Sequence, residues 1–598
     1  MQYVDFSNTH DMLMTTVKKN PDKDAYSWFV EPGVTESITW KDFYKAVRSV
    51  AKSLIKLGVE KGDKVNIISY TCYKWVLTDL GITTAGGCTV GIYQSNLPKD
   101  CQYIIDHSDA VLIFAEDLTQ LDKLLEIKSE IPDVRKVILL NGEFEGDDWV
   151  MSFEEFLKVG EDVAEEEIDK RVENTKSSDL AAIVYTSGTT GIPKGSVLTH
   201  DNLIFTPQAV KFSVDFRTDD TTFLFLPLAH IFARTCMYAA LMEGTTLTFA
   251  RQIDTVVEDI GYAKPNWFIS VPRIYEKIYS KILGGAESKG GVALKIFRWA
   301  VSVGEKVSDL KLAKKSIPLP LKIKYALATK LVFSKVQNVL GGNVRWCISG
   351  AAPLNPSIAK FFHAAGILVL EGIGMTENTS FTNVNRYDDY RFGWVGQPGP
   401  EIEQKIAEDG EVMFKGRNVM KEYYKNPEAT KETFTDDGWL CTGDIGEIDD
   451  ENFLRITDRK KHIIITAGGK NIAPSPIEGV MVTSKYIGQV VIIGDRKKYL
   501  SALVTLEREN IEDYANKNNI TYSNFDELNT NPQIVDLITK EVQEKNKNFA
   551  SFETIKTIAI VPEWTIENSC LTASMKIKKN VVVEEFQSEI DGLYPSEV

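Results

Sequence analysis

Tyr185 to Gly195 reads Y-T-S-G-T-T-G-I-P-K-G and directly follows the apolar run Leu180 to Val184. Thr186, Ser187, Thr189 and Thr190 offer hydroxyl donors. Gly188, Gly191 and Gly195 let the backbone turn and bring its amides close to an anion. Lys194 adds a mobile positive charge. Such a loop suits phosphate oxygens, although the same composition also makes ordinary surface loops. It is not a Walker A loop, because two residues separate Gly191 from Lys194 and no Ser or Thr follows that lysine. A P-loop kinase or GTPase is thereby disfavoured.

Around this stretch lies a chain of 598 residues, long enough to require at least two cores. Its 43% hydrophobic and 25% charged content is ordinary for a soluble globular enzyme. A net charge of −16 argues against nucleic acid as a main partner, and means that any anionic ligand must be met by local positive charge. The cysteines at 72, 88, 101, 236, 347, 441 and 570 form no C-x-x-C pair and have no histidine at metal-ligand spacing, which suggests a reduced, cytoplasmic setting. No basic patch and apolar core opens the chain, and no run approaches the roughly 20 apolar residues of a membrane span.

Thr39 with Asp42 resembles a capping box, and Phe43, Val47, Val50, Leu54 and Leu57 then recur at helical spacing up to Gly58. Strands are expected at 64–69, 88–93 and 111–115, with a helical stretch around 75–84 between the first two; this alternation predicts a mainly parallel sheet covered by helices. Residues 143–178 read as a charged, solvated connection with a helix at 153–159. A second alternating block follows the glycine loop, with strands expected at 222–226, 245–250, 267–271, 344–349 and 367–370. Lysines 306, 311, 314, 315, 322, 324, 330 and 335 then lie among Leu, Ile, Val and Phe, opposed by Asp309 alone. That segment reads either as solvated helices broken by Pro318 and Pro320, or as a contact with the anionic inner face of a membrane.

Further motifs carry chemistry. Leu226 to Arg234, L-P-L-A-H-I-F-A-R, puts His230 on a loop after Pro227, where it is either a capped or packed histidine or a substrate-site residue. Gly350, Ala351 and Ala352, with Pro353, follow an expected strand, and small residues at a strand's carboxyl end let a flat ligand approach the backbone. Gly372 to Glu377 reads G-I-G-M-T-E. Trp439 to Gly446, W-L-C-T-G-D-I-G, places Asp444 in an expected turn. Asp458 to Ile472, D-R-K-K-H-I-I-I-T-A-G-G-K-N-I, and Leu571 to Lys579, L-T-A-S-M-K-I-K-K, are basic stretches whose lysines also suit a solvated surface.

Together these motifs, from Thr39 to Lys579, resemble the adenylate-forming superfamily, and within it long-chain fatty acyl-CoA synthetases. The resemblance implies an α/β fold: a large N-terminal adenylate-forming domain with mixed sheets flanked by helices, residues 1–457, and a small α+β C-terminal domain, residues 458–598, that rotates about Asp458. It implies ATP and Mg2+ as cofactors and CoA as co-substrate, with a fatty acid as the acid; a homodimer is a further reading. Thr186 and Glu377 would hold Mg2+ and Thr376 would contact the α-phosphate. Gly350, Ala351 and Ala352 would line the adenine, Ile373 would contact it, and Gly372, Gly374 and Met375 would belong to the nucleotide-binding residues. Asp444, assisted by Arg459, would bind the ribose, Gly468 and Gly469 would meet the pantetheine arm, His230 would face the carboxylate, and Lys576 would be the catalytic lysine. The sequence departs from the family pattern at Ile373, where a tyrosine usually stacks on adenine, at Ala573, where proline is usual, and at Lys579, where arginine is usual. A ligase that loads a carrier protein, or a catalytically weak acyl- or nucleotide-binding protein, are the alternative readings.

Overall fold

The computed structural model describes residues 3–186, 192–572 and 575–595. The chain opens with the helix Thr9–Lys19, capped by Asn8, and the antiparallel hairpin Asp24–Glu31 and Val34–Thr39. The helix Trp40–Lys56 follows. Thr39 accepts from Asp42 N at 3.2 Å, so it caps the helix from one side only. Phe43, Val47, Val50 and Leu54 form its fully buried stripe, and Gly58, at φ +77, lies just beyond its end.

Two large sheets follow from the expected alternation. The first has seven strands in the order Val150–Ser152, Lys136–Leu139, Ala110–Ala115, Lys64–Ile68, Cys88–Ile92, Leu180–Thr186 and Lys194–Thr199. Every pair is parallel except the last. Cys88–Ile92 is buried throughout, as a strand covered on both faces requires. The second sheet has nine strands. Its parallel centre runs through Asp24–Glu31, Thr246–Phe249, Thr221–Leu224, Trp267–Ser270, Trp346–Ser349 and Leu368–Ile373, with antiparallel strands at both edges. Trp267 and Trp346 are register partners whose rings stack at 5.1 Å, a cross-strand pair that fixes this part of the sheet.

The charged region 143–178 is more ordered than its composition predicts. The helix Phe153–Val159 stands where it was expected, with a full Ser152–Glu155 capping box. A strand, Val150–Ser152, and a second helix, Glu165–Asn174, are added to it. Arg48 pairs with Glu165 and Asp169, and Lys52 with Glu165, so these carboxylates bind the first long helix instead of only facing water.

In the basic segment, Gly291–Leu312 forms one helix and Leu319–Ala328 a second. Pro318 and Pro320 end the possibility of a single helix and start the second, their missing amides falling in its unbonded first turn. Among the described residues, no helix is long and apolar enough to cross a membrane.

An antiparallel four-stranded sheet, Ile402–Ile406, Glu411–Gly416, Leu440–Ile448 and Leu454–Arg459, then leads into the last part of the chain. There a three-stranded sheet, Ile487–Ile493, Leu500–Leu506 and Ile555–Ile560, carries the helices Pro474–Met481, Arg508–Lys517 and Pro532–Asn546 around apolar cores of their own. It docks on the preceding residues at specific points: Arg273 donates to Gly488 O at 2.6 Å, Asn355 to Gly479 O at 2.5 Å, and Ser288 to Asp513 at 3.2 Å.

Candidate active site

The glycine loop is the connection of an antiparallel hairpin at the edge of the seven-stranded sheet, where Thr186 and Lys194 are register partners. The helix His200–Lys211 begins only after the second strand. A Walker A loop enters a helix directly, so topology excludes it here as spacing did. Ser187, Gly188, Thr189, Thr190 and Gly191 lie outside the described residues.

Residues 420–424 cover the hairpin's outer strand, with Val197 N donating to Glu422 O at 2.9 Å and Tyr424 N to Gly195 O at 2.7 Å. Tyr423 then joins the hairpin to the carboxylate expected at the metal. Lys194 Nζ lies 5.3 Å from the centre of its ring, and its hydroxyl donates to Glu377 Oε1. Sequence reading missed Tyr423. Its only local signal is the pair Tyr423–Tyr424 beside several charges.

Glu377 and Thr376 are buried in a short 3-10 turn, Thr376–Asn378, at the carboxyl end of Leu368–Ile373. Gly374 is dictated by space, since a Cβ there would lie 2.0 Å from the backbone of Ser380. Gly372 and Ile373 are the last residues of that strand. Ile373 packs on Val412, Phe414 and Leu454 of the four-stranded sheet, so it supplies apolar surface without an aromatic face. Met375 N donates to Asn378 at 2.7 Å.

Gly350 follows the neighbouring strand, Trp346–Ser349, and donates to Ser270 O at 3.1 Å. A Cβ on it would meet the Phe232 ring at 2.9 Å. Ala351 adopts φ +74 and lines a small cavity with Leu226, His230 and Val271, whereas Ala352 is exposed.

His230 ends the loop that follows the strand Thr221–Leu224, as expected, and is there the N-cap of the helix Ile231–Glu243. Its Nδ1 accepts from Phe232 N at 3.1 Å, which leaves Nε2–H as the donor toward the cavity. Burial, aided by the Lys576 ammonium, pushes its pKa down to about 3, so the ring is neutral. His230 is thus both a helix cap and a cavity-lining residue. Four residues on, the fully buried Arg234 anchors this helix to Asp79, donating through Nε at 3.2 Å.

Asp444 corrects another expectation. It lies inside the nine-residue strand Leu440–Ile448, is only 8% exposed, and is the register partner of Arg459. The turn-like T-G-D sequence makes a bulge, with Gly443 at φ +71 and Asp444 N donating to Thr442 Oγ1 at 3.0 Å. Burial raises the Asp444 pKa against the pull of Arg459, whose Nε is 2.8 Å away.

Next to Arg459, Asp458 is buried and accepts from Ser475 N at 2.9 Å, tying the strand end to the first turn of Pro474–Met481. Lys460 pairs with Asp409 at 2.5 Å and Glu411 at 3.1 Å. Gly468 and Gly469 sit in an exposed turn, and a Cβ on Gly469 would meet nothing within 4 Å. Within this turn Gly469 N donates to Thr466 O at 2.8 Å, and Ala467 N donates to Lys497 O at 2.9 Å.

Lys576 is brought near Asp444, Arg459 and Glu377. It follows a tight turn in which Met575, at φ +61, donates to Thr572 O at 2.8 Å, while Leu571 and Ile577 bridge its base. Met575 packs on the core of the large sheets. Lys579 grips both oxygens of Glu478 at 2.8 Å, so lysine serves here where arginine is usual. Ala573 lies outside the described residues. Water reaches the Lys576 side chain, yet protein crowds the ammonium. Desolvation first and Arg459 second pull its pKa down to about 8, against the attraction of Asp444 and Glu377. One cation therefore sits in the fields of the cavity histidine, the Asp444–Arg459 pair and Glu377.

The family profile described as AMP-binding enzyme matches residues 13–424, and that of the AMP-binding enzyme C-terminal domain matches residues 461–598. The chain belongs to the AMP-binding enzyme family. Among curated family members, the long-chain-fatty-acid–CoA ligase FadD15 of Mycobacterium bovis is 33% identical over 99% of this chain and 97% of its own length. The human long-chain-fatty-acid–CoA ligase ACSBG2 is 32% identical over 94% of this chain and 88% of its own. Two solved structures share the fold of this AMP-binding enzyme. The A domain of a carboxylic acid reductase from Segniliparus rugosus, in complex with AMP and a carboxylic acid, matches with a TM-score of 0.77 at 20% identity, covering 99% of this chain and 95% of that one. The anthranilate CoA ligase AuaEII, in complex with anthranoyl-AMP, matches with a TM-score of 0.72 at 19% identity, covering 97% of each.

Mg2+ fits the donor set of this family member. Among the described residues no group of three or more His, Cys, Asp or Glu could hold a metal, but Glu377 offers a buried carboxylate with one oxygen engaged by Tyr423. A hard cation bound through one carboxylate, a hydroxyl such as that of Thr186, phosphate oxygens and water matches that supply.

Proposed function

We propose that this AMP-binding enzyme activates a long-chain fatty acid with ATP and transfers it to CoA. In the first half, the carboxylate attacks the α-phosphate of ATP, forming acyl-AMP and releasing pyrophosphate. In the second, the CoA thiolate attacks the acyl carbon and AMP leaves with the bonding pair, giving the thioester. No protein nucleophile is required.

The observation that supports this reading is the placement of Lys576 in the fields of Asp444, Arg459, Glu377 and His230. A cation there stabilises charge that develops on the α-phosphate. At about 4 Å and an effective dielectric near 20 it interacts with a phosphoryl oxygen by roughly 4 kcal/mol, or about a thousandfold in rate. Asp444 accepts from the ribose hydroxyls with Arg459 holding its carboxylate. The backbone at Gly350 to Ala352 and Gly372 to Met375 receives the adenine, and Thr376 meets the α-phosphate. His230 donates through Nε2–H toward the incoming carboxylate. The glycine-loop hydroxyls and amides with Lys194 hold the β- and γ-phosphates. Thr186 and Glu377 would hold Mg2+, which neutralises phosphate charge when bound.

The part of the chain from Asp458 onward acts as the mobile domain, and residues 1–457 as the domain that binds AMP and the acyl group. Lys576 serves the first half; rotation about Asp458 withdraws it and brings Gly468 and Gly469 to the pantetheine arm. That rotation must break the Lys460 contacts to Asp409 and Glu411 and the Arg273 contact to Gly488 O.

The test is AMP production across free carboxylic acids from acetate to oleate, with Mg2+ and ATP, with and without CoA. CoA-dependent AMP rising toward long chains supports the reading. Pyrophosphate release without thioester turnover replaces CoA by a carrier-protein acceptor, and no pyrophosphate with any acid leaves only a binding role.

A further inference from the structure

The helix Leu319–Ala328 carries an apolar ridge that the proposed reaction does not use. One of its faces is committed to the protein: Ala328 is fully buried, and Leu321 and Tyr325 pack on the main core. The π-helical turn Thr329–Phe333 continues that face with the fully buried Phe333. At about 100° per residue, Ile323 and Leu327 stand opposite Leu321, Tyr325 and Ala328. They are 64% and 49% exposed, and Leu319 at 69% and Leu331 at 41% extend the ridge at either end. One exposed leucine needs no account; four aligned on a helix whose other face is already packed do.

Charge completes the pattern. Lys322 and Lys324 stand about 100° to either side of Ile323, flanking the ridge. Lys314 pairs with Asp389, whereas Lys322, Lys324 and Lys330 are exposed and form no ion pair among the described residues. No Asp or Glu occurs between Asp309 and Glu371, in a chain of net charge −16. The ridge is a local cationic exception on an acidic protein.

We infer that this face docks the protein on an anionic lipid bilayer, with Leu319, Ile323, Leu327 and Leu331 entering the boundary between headgroups and acyl chains and Lys322, Lys324 and Lys330 against the lipid phosphates. Apolar side chains flanked on both sides by unpaired ammonium groups are complementary to an apolar interior beneath an anionic surface. A second copy of the chain fits less well, because an isologous contact through this ridge would set the same lysines against one another.

The test is flotation of the full chain with phosphatidylcholine vesicles and with vesicles that also contain phosphatidylglycerol. It needs no turnover, so its result is independent of the proposed reaction. Recovery is expected with the anionic vesicles and falls at high salt. The double variant Ile323→Asp/Leu327→Asp should lower partitioning about tenfold or more, and Lys322→Glu/Lys324→Glu should weaken binding to anionic vesicles, both with an unchanged thermal melt. Absence of recovery on anionic vesicles overturns the inference. So does recovery that Ile323→Asp/Leu327→Asp leaves unchanged, or a dimer of the native chain that this variant dissociates in the absence of any lipid binding.

Discussion

Arg459 Nε lies 2.8 Å from Asp444 Oδ1, across a register pair of the four-stranded sheet, so the carboxylate is aimed by the strand pairing itself. Asp444→Asn keeps the shape and removes a charged acceptor. We expect KM for ATP to rise roughly tenfold to a hundredfold, as for loss of about 1.5–3 kcal/mol of charged hydrogen bonding, with stability little changed. Steady-state kinetics over an ATP series read this, and an unaltered KM removes Asp444 from the nucleotide site.

Lys576→Ala should slow formation of acyl-AMP by roughly 10² to 10⁴ while preformed acyl-AMP still reacts with CoA. Single-turnover assays of each half separate the two. Equal loss in both would remove the proposed division of labour.

The Lys576 pKa of about 8 gives the first half a basic limb. The ammonium carries its charge below that pH and loses it as pH rises through it, so kcat/KM for pyrophosphate release should fall above about pH 8. His230, held neutral down to about 3, should contribute no inflection near neutrality. Lys576→Arg should move the limb beyond the measurable range, whatever its effect on the maximal rate; an unmoved limb assigns it elsewhere.

Tyr423→Phe removes the hydroxyl that donates to Glu377 and leaves the ring beside Lys194. The expected result is a several-fold higher apparent KM for Mg2+, with a maximal rate recovered at saturating Mg2+, in keeping with loss of an outer partner of a metal ligand. A lower maximal rate at every Mg2+ concentration would give Tyr423 a different role.

Asp79→Ala strips the buried Arg234 of its carboxylate and Tyr238 of its acceptor. About 3–5 kcal/mol of stability should be lost. Denaturant unfolding measures it, and a change under about 1 kcal/mol would mean that the guanidinium finds another partner.

Local patterns were legible wherever one residue's neighbours in sequence are also its neighbours in space. The stripe Phe43, Val47, Val50 and Leu54 is a helix face because its spacing is a helix period, and the apolar runs at 64–69, 88–93 and 267–271 are strands because both faces of a parallel sheet are buried. The glycine loop, G-I-G-M-T-E and the lysine near the chain's end were recognisable as strings for the same reason.

Pairing across long separations was not legible. Nothing near Thr186 tells that its loop closes a hairpin with Lys194 as register partner, nor that residues 420–424 lie along that hairpin. T-G-D reads as a turn because Gly and Asp favour turns, yet strand partners more than ten residues away on either side hold Asp444 inside a sheet. The charges of 143–178 read as solvated because Arg48 and Lys52, their partners, lie on a helix a hundred residues earlier. Which residues could bear the chemistry is thus written in side-chain type and local order. That Lys576 lies within the electrostatic reach of Asp444, Arg459 and Glu377, and that Tyr423 holds Glu377, is set by tertiary packing, because it depends on contacts between segments that no local sequence rule relates.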